Sequence, residues 1–319
     1  MSAKQHFEEL VIEGPAWSLA DTIKAAQAGD EPAQGKVVSA MVWAAFSAPD
    51  GVRPLYDAIT EVWLGAGDVP ADQASLPSAP LPAEFWDAFW SAVDQARATR
   101  YTPASATARV ADLSCATHPD FLELAERVAQ RHVPAGSAFR EAATVKIDPA
   151  FWSRCAAGTL GHELHQMIDA GQYDLEIGSK RELRTLPPTL NRLTTHVDSL
   201  DGAWRLVAGY DVVDSHLIAF AAFCLAQCGH LFSASALAVF AAIAHFVLPH
   251  SFHILMYLIA EGWRHGQQSP TLLDIDWDAH WSQPVAALRE RYSVPVYGSV
   301  FGKNLFRTLP RYGGPSGEH

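Results

Sequence analysis

Cysteine is scarce in this 319-residue chain. Cys115, Cys155, Cys224 and Cys228 show no Cys-x-x-Cys spacing, so neither a disulfide framework nor a thiolate metal cluster can be read from them. Two of the four stand in a strongly apolar helical stretch, and a reduced, cytoplasmic protein fits best. Positive charge is also short: 23 Lys and Arg face 35 Asp and Glu, a net charge of −12, and the basic residues form no run. That balance argues against nucleic acid as a partner. The stretch Met1 to Gly14 carries Lys4, Glu8, Glu9 and Glu13 where a secretory leader needs an unbroken apolar block, so no targeting segment is visible. A glycine-rich phosphate loop, a G-x-S-x-G elbow and a dinucleotide fingerprint are all missing, which counts against kinases, the usual hydrolase folds and nicotinamide enzymes. Strand signals are weak, and no internal repeat is visible.

What is present is apolar material at helical spacing. Hydrophobic residues make up 49% of the chain, enough for a substantial core. From Val37 to Leu64 they recur with helical period, broken by Ser47-Ala48-Pro49-Asp50-Gly51, which predicts two helices joined by a turn. A loop or insertion rich in Pro, Ala and Ser runs from Gly65 to Pro82, followed by a short amphipathic helix from Glu84 to Ala96. His118-Pro119-Asp120 opens another helix over Phe121 to Gln130, and Pro134-Ala135-Gly136 stops it. Beyond Thr159 helices are expected at Leu160–Ala170, Leu193–Ala208, Ser215–Cys228, Phe232–Leu248, Ser251–His265 and Pro284–Tyr292. The fold class is therefore all-α. Phe232 to Leu248 is the most apolar segment, but its 17 residues include Ser233, Ser235 and His245 and end at Pro249. A bilayer span needs about 20 residues. A buried helical hairpin is the favoured reading, with a membrane-touching face as its alternative.

A set of ordered residues in the second half resembles the coenzyme Q biosynthesis protein 4 family. It begins with Gly158-Thr159-Leu160-Gly161 and Glu163, continues through Trp204, Gly209-Tyr210-Asp211, Phe223, Gln227 and Gly229, and ends with Trp263, Gly266, Pro270, Leu272, Leu273, Asp276-Trp277-Asp278, Trp281, Pro284, Leu288, Arg289 and Tyr292. The resemblance covers residues 119–294 well and 37–64 loosely. It implies an N-terminal helical region with insertions over 1–118, a helical bundle core over 119–294 and a tail over 295–319. It also implies an apolar pocket between the helices of residues 193–208 and 215–228, a ligand with a polyprenyl tail and a quinone-like head, partner enzymes of ubiquinone biosynthesis, and a homodimer peripheral to a membrane.

The family's metal signature, H-D-x-x-H followed twelve positions later by Glu, falls on Asp201, Gly202, Arg205 and Leu217. Only Asp201 could bind a metal, because a guanidinium has no free lone pair and leucine offers no donor. A zinc site needs three or four ligands, so the expectation is a pocket without metal or other cofactor. Asp201 and Arg205 stand at i, i+4, where an acid ahead of a base pairs well. Arg205 is expected to supply the positive charge that a divalent ion would otherwise bring, and to bind a carboxylate, enolate or quinone oxygen. The plain alternative is a surface salt bridge. His216, beside the lost glutamate position, is a candidate proton donor or acceptor, or else a solvent-facing first-turn histidine. Asp201, Arg205 and His216 are thus the candidate catalytic residues, and His196, Trp204, Tyr210, Asp211 and Leu217 the candidate substrate-binding ones.

Rival constellations carry less. His162-Glu163-Leu164-His165 lacks the i, i+4 histidine pair of a zinc protease, although His162, His165 and Asp169 could meet a metal. His250, His253 and Glu261 form a second candidate, and Cys224 and Cys228 read as small buried hydrophobes. Two functions follow: a metal-free binding or scaffold protein for an isoprenoid-quinone-like intermediate, or a repurposed cyclase or decarboxylase working through Asp201, Arg205, His216 and Tyr210.

Overall fold

A computed structural model describes residues 2–65, 76–98, 103–133, 139, 145–172 and 186–302. Its helices are α1 (Ala3–Glu13), α2 (Leu19–Gln27), α3 (Glu31–Phe46), α4 (Val52–Leu64), α5 (Ala83–Ala98), α6 (Pro103–Cys115), α7 (Pro119–His132), α8 (Pro149–Trp152), α9 (Leu160–Asp169), α10 (Pro188–Ala208), α11 (Asp214–Cys228), α12 (Leu231–Phe246), α13 (Phe252–Gln268) and α14 (Val285–Tyr292). Short 3-10 turns occupy Pro49–Gly51, Pro249–Ser251 and Trp277–Ala279. No strand forms among the described residues; Thr159 and Pro284 meet in one isolated bridge. The all-α reading therefore holds. The stop expected at 134–136, residues 66–75 of the insertion and the tail beyond 302 lie outside the described residues.

Local chemistry explains the boundaries. Pro119 sits in the first turn of α7, where its missing N–H costs nothing, and the His118 side chain accepts from the Asp120 N–H. α10 begins at Pro188, five residues earlier than its apolar period suggested, because the Glu126 carboxylate of α7 accepts from the Thr189 and Leu190 N–H groups and satisfies that helix start. α10 stops at Gly209, whose φ of 83° is left-handed and suits a residue without Cβ. Arg289 of α14 donates to the carbonyls of Leu206 and Val207, capping the same end.

Two large cores share one helix. The first joins residues 7–113 of the N-terminal helices to α12, most of α13 and one side of α11, through Ile218, Ala222 and Leu225. The second surrounds Trp152, Trp204, Phe223 and Trp277 and takes the other side of α11, through Ala219, Phe220, Cys224 and Cys228. α11 is apolar all round because it is buried on both faces. α12 is likewise a core helix, and no helix among the described residues is long and apolar enough to cross a membrane.

The structure corrects the reading that the chain has no repeat. α2, α3, a 3-10 turn and α4 recur 200 positions later as α11, α12, a 3-10 turn and α13. Gly29 and Gly229 both take a positive φ between the first and second helices of their units, at 97° and 65°. Ser47 and Ala48 both donate to the Trp43 carbonyl, and Val247 and Leu248 both donate to the Ile243 carbonyl. Gly51 then bonds to Ala48 and Ser251 to Leu248, each at 2.8 Å. Gln27 reaches the Val62 carbonyl and Gln227 that of Gly266, tying the first helix of each unit to its last. Identities at this offset include Phe46/Phe246, Pro49/Pro249, Ile59/Ile259, Glu61/Glu261 and Trp63/Trp263.

Within the second unit α11 and α13 touch backbone to backbone. A Cβ at Gly262 would lie 2.0 Å from the Ala219 carbonyl oxygen, and one at Gly266 would lie 2.7 Å from the Phe223 oxygen. Gly262→Ala must therefore push the helices apart. Its cost is expected at about 3 kcal/mol, the upper end of overpacking effects, and a urea denaturation midpoint unchanged from the parent chain would refute the close packing.

Candidate functional site

The residues aligned with the family's metal motif lie on α10 and α11, and side chains of the two helices meet between them. Arg205 Nε donates to Asp201 Oδ2 at 2.6 Å and Nη2 to Oδ1 at 3.2 Å, a two-pronged pair. The guanidinium lies 3.9 Å above the Phe220 ring, which belongs to α11. Arg205 is only 8% exposed, so the surface salt-bridge alternative is set aside. Its third nitrogen, Nη1, is buried without a hydrogen-bond partner. The Cys224 thiol is held neutral: burial pushes its pKa up, the neighbouring Cys228 and Asp201 push it further, and Arg205 partly offsets them. Cys228 is pushed up to about 12 by burial. These are inert, packed thiols.

A second cluster adjoins the first through Tyr210, whose ring centroid is 5.1 Å from that of Phe220. The Tyr210 hydroxyl is 2.7 Å from His265 Nδ1, and His265 Nε2 is 2.9 Å from the Pro295 carbonyl. A carbonyl can only accept, so His265 carries its proton on Nε2, and Tyr210 donates to Nδ1. Burial raises the Tyr210 pKa and lowers that of His265, which keeps both neutral near pH 7. Tyr297 stacks on Tyr210 at 4.4 Å, its N–H donates to the Ala208 carbonyl, and its hydroxyl donates to Glu261, which also accepts from Ser299. The segment after Val294 is thus laid over this cluster.

His216 is buried at 6% exposure, against the solvent-facing alternative. Its Nδ1 accepts from the Asp211 backbone N–H at 2.9 Å, and its ring meets Tyr210 and Tyr297 edge-on. Asp211 itself is exposed, with its carboxylate 3.8 Å from the same nitrogen. Trp204 and His196 lie on another stripe of α10. Their rings are 6.3 Å apart, and Phe139 stands edge-on to His196 at 5.1 Å. Both carry an orphan buried nitrogen, Nε1 of Trp204 and Nε2 of His196. Leu217 is half-buried and packs into neither main core. Asp201, Arg205, Tyr210 and His216 are thereby joined into one run of contacts, with Asp211 at its rim and Trp204 and His196 behind it.

Glu261, His265 and Tyr297 were missed as members of this cluster. Glu261 entered only as a metal candidate with His250 and His253. It is engaged by Tyr297 and Ser299, whereas the His253 ring packs 6.4 Å from Trp63 of α4. His165 meets Asp169 at 3.3 Å. Among the described residues no group of three or more His, Cys, Asp or Glu is placed to hold a metal ion. At the family's motif positions the donor set does not fit one, since Asp201 is engaged by a permanently charged guanidinium.

Burial lowers the His196 pKa from 6.5 to about 4. Between those values the unfolded chain binds a proton that the folded chain refuses. Stability is therefore full above pH 6.5, falls as pH drops toward 4, and levels off below. The loss from this one group is expected to be roughly 3 kcal/mol. Replacing His196 with Gln should flatten the pH dependence of the urea midpoint over that window; an unchanged slope would show that the imidazole is not buried neutral.

The chain matches no family model and no curated relative. Among solved structures it is similar to a candidate ubiquinone biosynthesis protein from Nostoc punctiforme PCC 73102, with 23% identity and a TM-score of 0.50 over 66% of this chain and 96% of that one. A likeness at that identity establishes a shared helical fold.

Proposed function

We propose that this chain is a divergent member of the coenzyme Q biosynthesis protein 4 family that works without a metal, binding an isoprenoid-quinone-like intermediate and presenting it to partner enzymes. The buried Nη1 of Arg205 is the observation that carries the reading. Two of the three guanidinium nitrogens satisfy Asp201, and the third is a desolvated donor with no acceptor, a state that costs about 1–3 kcal/mol until an oxygen arrives. The pair is already charge-balanced, so a neutral carbonyl oxygen suits it better than a carboxylate, whose extra charge would lie buried and unpaired. A quinone head supplies such an oxygen.

The order of the family-like residues supports the same reading, because they perform matched structural tasks. Glu163 accepts from the Gly158 N–H, Gly161 lies against the Trp281 carbonyl, Gln227 bridges Gly266, Ser269 and Leu272, and Arg289 caps α10. The Nostoc protein's stated role in ubiquinone biosynthesis belongs to that protein and lends the reading context. A homodimer at a membrane surface is the setting that the family resemblance adds. The rival reading, a cyclase or decarboxylase, asks Tyr210 and its neighbours to move protons, whereas burial holds Tyr210 and His265 neutral.

The test is mass spectrometry of organic extracts from purified protein. The parent chain should carry an isoprenoid quinone or quinone precursor. The double variant Asp201→Asn, Arg205→Met leaves no orphaned charge, and it should carry about tenfold less or lower still, the loss of one charge-assisted hydrogen bond. Equal loads in the two proteins would remove Arg205 from the site, and an empty parent chain would remove the ligand.

A further inference from the structure

The two units pack as an antiparallel pair. Gly35, early in α3, lies against His245, late in α12. Trp63, late in α4, packs on Phe252 and His253 at the start of α13, with ring centroids 6.4 Å away in each case. Trp263, late in α13, lies 5.2 Å from the Tyr56 ring and donates to Asp57 of α4. α3 thus meets its counterpart α12, and α4 its counterpart α13, each pair running in opposite directions, as an approximate two-fold axis requires and a simple stacking of repeats does not. The arrangement creates two equivalent notches, each between the late tryptophan of one unit and the first turn of the other unit's last helix.

The notches are filled differently. At the first, Trp63 faces Phe252, fully buried, and His253. At the second, Trp263 and the counterparts at the same offset, Val52 and Arg53, line a cavity of about 320 Å³. That is within the range of small-molecule sites, about 300–1,000 Å³. Ala44, Leu225, Leu231 and Ala234 from the two units and Val128 from α7 supply its apolar walls, and Asp50, Arg53, Arg131 and His132 its polar ones. Arg131 of α7 also lines it and is paired with Asp50, while Arg53 lies 3.9 Å from Asp57. Arg53 and Arg131 thus stand at the rim beside Asp50 and His132, and Asp57, the carboxylate nearest Arg53, also accepts from Trp263 and Gln267, which leaves the Arg53 guanidinium only loosely held.

We infer that this open notch is a second ligand site, distinct from the Arg205 cluster, and that it takes a small molecule with an apolar body and a single anionic group. The apolar part lies against Trp263 and Val52, and the anion meets Arg131 and Arg53 at the rim. Neither unit forms the site alone.

1-Anilinonaphthalene-8-sulfonate, an aromatic body with one sulfonate, is the probe, titrated by calorimetry and fluorescence into the full-length protein. One saturable site per chain is expected. Val52→Phe copies the filled notch and should weaken binding about tenfold or more at unchanged far-UV circular dichroism. Arg131→Glu, a change at an exposed side chain that does not depend on core repacking, should weaken it similarly. The Asp201→Asn, Arg205→Met double variant should bind as the parent does, which separates this site from the proposed quinone site. Absence of saturable binding, or equal affinity in the parent, Val52→Phe and Arg131→Glu proteins, would overturn the inference.

Discussion

The close approach of α11 and α13 is the constraint on which the rest of the molecule depends. Gly262 and Gly266 let the two backbones meet where any side chain would separate them. With the helices in contact, α11 can bury one face in each main core, and His265 is carried to within 5.1 Å of Phe223 and into hydrogen-bond range of Tyr210. Gln227 then spans from α11 to the chain just beyond α13, where its amide and carbonyl hold Gly266, Ser269 and Leu272. Moving either helix by the width of a methyl group would disturb all of these together, because a close-packed interior transmits displacement.

The interior chemistry is one of neutrality. Arg205 and Asp201 cancel each other, Tyr210 and His265 share a proton in a fixed direction, and the two cysteines of α11 remain thiols. Burial raises the Tyr210 pKa and lowers that of His265, so both stay uncharged near pH 7.

The helices were legible because their apolar residues recur at helical spacing and their ends carry Pro and Gly in chemically sensible places. The early start of α10 was not, because the Glu126 carboxylate that caps it lies more than 60 residues away in the chain. The candidate site was half legible. Asp201 and Arg205 are one turn apart, so their pairing follows from helix geometry alone. Tyr210, His265 and Tyr297 are brought together only by tertiary packing, and no local pattern announces it. The repeat escaped notice for a related reason. What recurs is backbone geometry around Gly29 and Gly229 and around Pro49 and Pro249, whereas most side chains between those points have diverged.

That divergence is something a true dimer of identical chains cannot have. When one gene encodes both halves of a symmetric pair, every substitution appears twice, and a change that opens a space on one side opens its mirror image as well. Joining the halves in a single polypeptide releases each from its twin. Here one half keeps phenylalanine where the other has valine, and one has histidine at position 265 where the other has Gly65. Specialised chemistry can accumulate on one side while the opposite side keeps its role as framework.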